Sequence, residues 1–118
     1  MSNWSPISEA DLIDSINKAW IRMSRSQKIF WELIAIYPEK WTQHPYGDVG
    51  NGFWVVAIVG RWIVWFNDIE DGWNVSAYSR YGEFEDYCCN QDPLEIAIEK
   101  LANDNFHRRM GPPKPLAK

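Results

Sequence analysis

Phe53-Trp54-Val55-Val56-Ala57-Ile58-Val59-Gly60-Arg61-Trp62-Ile63-Val64-Trp65-Phe66-Asn67 is the stretch that decides the fold of this 118-residue chain. A strand with one face in water alternates apolar and polar residues. The first run here has no polar break, so Phe53 to Val59 reads as a central strand covered on both faces. Gly60-Arg61 is a two-residue link of the Gly-X type, which closes an antiparallel hairpin. Asp71-Gly72 marks a second hairpin, and Trp73 to Tyr81 follows as a third strand. Along it Trp73, Val75, Ala77 and Ser79 face one way, and Asn74, Ser76, Tyr78 and Arg80 the other. Gly82 breaks the run, and Phe84 to Cys89 is expected to form a further short strand.

Outward from this centre the pattern turns helical. Ser8 followed by Asp11 is a capping pair, and Leu12, Ile13, Ile16, Ala19, Trp20 and Met23 make one apolar stripe. This first helix should end near Ser24 to Ser26. Gln27 to Tyr37 suits either a short helix or a strand. Its β-branched and aromatic content, with Pro38 just after, points to a strand from Phe30 to Tyr37. Asp92-Pro93-Leu94-Glu95 signals a helix start, with Asp92 as N-cap and Leu94, Ala97, Ile98 and Leu101 as the buried stripe. That helix should run to about Asn103. The expected architecture is α+β: an antiparallel meander of three to five strands packed against an N-terminal and a C-terminal amphipathic helix. Residues 1–107 read as one domain. Residues 108–118, with Gly111-Pro112-Pro113-Lys114-Pro115, read as an extended, mobile, basic tail.

Composition narrows the function classes. Apolar residues make up 46% of the chain and charged residues 24%, ordinary proportions for a globular domain. No apolar run reaches the roughly 18–20 residues of a membrane span. The N-terminus lacks the basic start and apolar stretch of a secretory signal, so a cytoplasmic location is expected. Cys88 and Cys89 are adjacent, a spacing poorly suited to a disulfide. From Asp68 to Glu99 nine carboxylates face a single base, Arg80, while the four bases of residues 108–118 stand without an acid. So acidic a centre disfavours nucleic acid as a direct partner and favours a basic protein.

Motifs that carry catalytic chemistry are scarce in the chain. His44 and His107 have no partners at zinc-ligand spacing, and side-by-side cysteines cannot build a Cys-x-x-Cys site. No nucleophile elbow is present. Gly47-Asp48-Val49-Gly50-Asn51-Gly52 resembles a phosphate loop, but it lacks the Lys-Ser/Thr pair and leads into a strand, so it reads as a structural turn. Asp68, Glu70 and Asp71 share one turn, and Glu83, Glu85 and Asp86 form a second acidic group. As a pair on neighbouring loops they could do acid–base work; as separate groups they solvate a surface. No metal or cofactor is expected, and the chain is expected not to be an enzyme. Most of the eight tryptophans are accounted for by a core. Trp73, Tyr78, Tyr81 and Tyr87, close to carboxylates, are the candidate exposed anchors.

Gly52 to Val59, then Trp65-Phe66-Asn67-Asp68-Ile69-Glu70-Asp71-Gly72-Trp73-Asn74, then Tyr87-Cys88-Cys89-Asn90-Gln91-Asp92, resemble small bacterial immunity proteins of contact-dependent growth inhibition and other polymorphic toxin systems. The resemblance covers the middle and last third of the chain. It implies tight binding to a cognate toxin domain, often a nuclease, whose active site or substrate surface is blocked. On that expectation Asp68, Glu70, Asp71, Glu83, Glu85 and Asp86 supply an acidic field for a basic toxin domain, and Trp73, Tyr81 and Tyr87 supply the anchors. A non-enzymatic interaction domain of other purpose, an enzyme using the acidic loops as a metal or acid–base site, a small-ligand module with a Trp-lined cavity, and a homodimer paired through a strand edge are the competing readings.

Overall fold

The computed structural model describes residues 4–106. His107 and the predicted tail, 108–118, lie outside the described residues. Three helices and four strands follow in the order α1 (Glu9–Arg22), α2 (Arg25–Ile34), β1 (Ala35–Trp41), β2 (Phe53–Val59), β3 (Trp62–Asn67), β4 (Gly72–Ala77) and α3 (Leu94–Lys100), the last running into a π-helical stretch, Leu101–Phe106. The sheet is an antiparallel meander in the order β1-β2-β3-β4. The α+β class and the meander predicted from the apolar runs are therefore present. No helix among the described residues is long and apolar enough to cross a membrane.

α1 starts as predicted, with Ser8 Oγ accepting from the Asp11 N–H at 3.1 Å. It stops at Arg22 because a new helix begins three residues later, at Arg25. Ser24 Oγ accepts from the Gln27 N–H at 3.2 Å, and the Ser24 N–H donates to Gln27 Oε1 at 2.8 Å. This reciprocal capping box starts α2 and corrects the strand predicted from Phe30 to Tyr37. Trp31 and Ile34 are buried on one face with Gln27 and Phe30 half-buried beside them, a helical spacing. β-branched content had suggested the strand, but packing of that face outweighs so weak a propensity. The chain passes into β1 at Ala35 with no loop between. β1 tolerates Pro38 because it is an edge strand, and its register slips between Ala35 and Glu39.

Gly60-Arg61 closes the β2–β3 hairpin, with Val59 paired to Trp62 and Gly60 at φ +58°. Two residues of β2 face one of β3 between Val55 and Ala57, so Val56 and Ala57 both point to the helices. β3 and β4 join through Asp68–Asp71, with Asn67 paired to Gly72. β4 ends at Ala77, four residues short of the predicted Tyr81. The predicted strand Phe84 to Cys89 is not a strand. It belongs to an irregular segment, Tyr78–Asp92, that leaves the sheet and folds back over it. α3 lacks the predicted Asp92 cap: its N-cap is Pro93, without a side-chain bond, and Asp92 instead accepts from Lys100 Nζ at 2.8 Å.

β2 is covered on both faces, as its unbroken apolar run required. On one side Val56, Val64, Phe66 and Trp73 pack against Leu12, Trp31, Leu94 and Ile98 of the three helices. On the other, Phe53, Val55, Ile63 and Trp65 pack against Trp41 and Phe84. Among the described residues no helix covers this outer face. The segment Tyr78–Asp92 does.

Candidate protein-interaction face

The outer face is assembled by a chain with no ladder of its own, so its position rests on side chains and isolated bridges. Tyr78 leaves β4 with its N–H bonded to Arg61 O at 2.9 Å. The chain crosses the sheet to β1, where the Thr42 N–H donates to Gly82 O at 2.9 Å and the Phe84 N–H to Thr42 O at 3.0 Å. Phe84 is buried with its ring 4.8 Å from Trp65. The chain then returns along the edge of β4. The Ser76 hydroxyl donates to Asp86 O at 2.5 Å while accepting from Trp65 Nε1 at 2.8 Å. Asn74 exchanges bonds with Asn90, and the Trp73 N–H donates to Asp92 O. This replaces a bare sheet edge with a covered one.

A second loop, residues 42–52, joins the same face. Gln43 is buried, donating from Nε2 to Glu85 O at 3.2 Å and accepting from the Tyr46 N–H at 3.1 Å. Tyr46 then stacks on Tyr87, centroids 4.0 Å apart. The glycine loop within it turns carbonyls, not N–H groups, toward a cation: Lys40 Nζ donates to Gly50 O at 2.7 Å and Gly52 O at 3.3 Å. That is the opposite polarity to a phosphate cradle.

Seen from outside, a packed aromatic floor carries a rim of tyrosines and carboxylates. Tyr81 is 64% exposed, 4.7 Å from Trp41, and its hydroxyl donates to Glu39 Oε1 at 2.6 Å. That bond, with a second from Trp41 Nε1, holds the Glu39 carboxyl below the usual range. Glu83 and Glu85 are exposed on either side of buried Phe84, and Asp86 is exposed beside them. Arg80 is 3.7 Å from Glu83. Two open depressions of about 340 Å³ each flank the Glu83–Glu85 ridge, one toward Arg61 and Asp86, the other toward Thr42 and His44.

The remaining predicted site residues are divided by the fold. Trp73 is only 4% exposed and packs on Phe66 in the helix-side core, so it presents no anchor to a partner. Its place next to an acidic turn in sequence hid its position on the inner face of β4. Tyr87 is half-buried, its hydroxyl accepting from Asn67 Nδ2 at 3.0 Å, and only part of its ring reaches the surface. Asp68 is drawn inward, accepting from the Ile7 N–H at 2.9 Å; burial pushes its carboxyl above the usual range. Glu70 is partly exposed near Tyr87, and Asp71 is exposed. The two acidic groups do not converge. The Asp68–Asp71 turn sits at the Gly72 end of β4, whereas Asp86 Oδ2 accepts from the Ala77 N–H at the other, roughly 17–20 Å away for a six-residue strand. The acid–base pair on neighbouring loops is thereby corrected.

Tyr46 and Glu39 join the face without having been expected there, whereas Tyr78, a candidate anchor from its sequence position, is only half-exposed and packs edge-on against Trp41. Nothing local marks Tyr46 or Glu39, because each arrives through a long-range contact, with Tyr87 and Tyr81 respectively. Cys88 is half-buried against this core and Cys89 is exposed; neither is in a disulfide. Among the described residues no three His, Cys, Asp or Glu side chains are placed to hold a metal ion. No protein-family model, curated protein or solved structure matches this chain with significance.

Proposed function

We propose that this domain is an immunity-type inhibitor that binds and neutralises a cognate basic toxin domain, a nuclease by preference, through the outer face of its sheet. The observation that carries the reading is the seating of Tyr81, Glu83, Glu85 and Asp86 on one bonded segment over buried Phe84. A rigid floor lowers the ordering cost of association, which rewards preorganised contacts. Exposed tyrosine supplies a broad, stiff anchor, and carboxylates steer a basic cleft toward it. Against a phosphate-binding cleft the carboxylates stand in for the backbone of the nucleic acid. Asp68 and Trp73 are engaged inside the fold, so the binding surface is proposed without them.

The test is affinity capture from host lysate with the wild-type chain and a Glu83→Lys/Glu85→Lys variant side by side, at rising salt. The expected result is one basic partner held in near-stoichiometric amount by the wild type, released by salt and lost from the variant. Cells producing that partner should be rescued by the wild-type chain alone. A partner retained equally by the variant at low salt would remove this face from the proposal.

A further inference from the structure

We propose that the outward stripe of α2 is a self-association surface, on which a second copy of the chain docks its own α2 in antiparallel orientation. This stands apart from the outer-face reading. Ile29 is 54% and Leu33 78% exposed, four residues apart on the helix face opposite buried Trp31 and Ile34. Arg25 and Glu32 lie on the same outward face, and among the described residues neither has a hydrogen-bonding or ionic partner.

Their placement is the informative part. α2 has a base in its first turn and an acid in its last, the reverse of what its own dipole favours. A two-fold antiparallel pair inverts that relation. Arg25 of each copy then faces Glu32 of the other, and each charge lies beside the favourable end of the neighbouring helix. This register puts the two-fold axis between residues 28 and 29. The Ile29 side chains meet across it, and each Leu33 lies along the apolar stem of the opposite Arg25. The open edge of the sheet is a poorer route, because Pro38 and the slipped register interrupt β1. A ten-residue helix spans only about 15 Å. The contact is therefore smaller than a standard interface, and the dimer is weak and concentration-dependent.

Sedimentation equilibrium of the full chain over a concentration series tests this. Wild type is expected to show a monomer–dimer equilibrium. Leu33→Glu should weaken it by about thirtyfold or more. Arg25→Glu alone should weaken it, and the double swap Arg25→Glu/Glu32→Arg should restore it, since two-fold symmetry makes the pairs complementary again. All these side chains are exposed, so unchanged circular dichroism separates lost association from lost folding. A wild type monomeric at every concentration would overturn the proposal, as would a dimer indifferent to Leu33→Glu or one the swap fails to restore. Leu33→Glu abolishing capture of a basic partner, with no effect on self-association, would assign the stripe to that partner instead.

Discussion

Gly72 and Gly60 show at single-residue scale how two glycines in similar turns do different work. A Cβ on Gly72 would lie 2.3 Å from Gln91 Cα and 2.4 Å from Asn90 O, both backbone. Gly72→Ala must push the covering segment off β4, and a loss above about 2 kcal/mol in urea titration is expected. A Cβ on Gly60 meets nothing within 4 Å, so only its left-handed φ matters. Gly60→Ala should cost about 1 kcal/mol. Asp68 supplies a second residue-scale prediction. Burial, the largest influence, raises its carboxyl in the folded state, with the Ile7 N–H and Lys40 acting the other way. Its favourable contribution is complete when protonated and is lost as pH rises through the folded value. Asp68→Asn keeps an acceptor for Ile7 and cannot ionise. Its stability relative to wild type should rise as pH rises from about 4, measured by denaturant unfolding at several pH values. A difference flat with pH would contradict this.

Among the elements, α1 and α3 are joined by a forked pair: Arg22 Nε to Glu95 Oε2 at 2.7 Å and Arg22 Nη2 to Glu95 Oε1 at 3.0 Å. Arg22 holds the Glu95 carboxyl below its usual range. The stabilisation is therefore present at neutral pH and lost as pH falls through the lowered value. Because the Arg22 side chain is half exposed, solvent screens the pair. A double-mutant cycle with Arg22→Met and Glu95→Gln should give less than about 1 kcal/mol of coupling, shrinking in acid. The α2 boundary shows how much of an element is legible locally. Ser24-Arg25-Ser26-Gln27 carried the capping-box spacing, yet β-branched Ile34 and Ile36 and the nearby Pro38 argued for strand. Both were right over part of the range, since helix gives way to strand at Ala35 with no punctuating loop. Asp92 is the reverse case: its sequence position predicts a cap, but an ion pair with Lys100 draws its side chain away.

In the whole molecule, one four-stranded sheet separates two cores, and a segment without regular structure closes one of them. Phe84 is the keystone of that closure, 4.8 Å from Trp65 and 6.4 Å from Phe53. Phe84→Ala should cost about 3–5 kcal/mol, as for a buried ring in any core, although it lies outside every helix and strand. Because both cores share the sheet, helix signal and tryptophan fluorescence should be lost in one transition; two separated transitions would show that the faces unfold independently. The class, the meander, the hairpin positions and α1 were readable from sequence, because each follows from periodicity and turn chemistry within a few residues. So was the double coverage of β2, from its unbroken apolar run. What covers the outer face was not readable. Tyr81, Glu83, Glu85, Tyr46 and Glu39 meet only through bonds spanning tens of residues, and Trp73 is turned inward by the pleat of β4 despite its acidic neighbours. Local sequence determines which way each short stretch of backbone is biased. Only the folded sheet decides which side of it a tryptophan or a carboxylate occupies, because that choice is set by burial against residues distant in the chain.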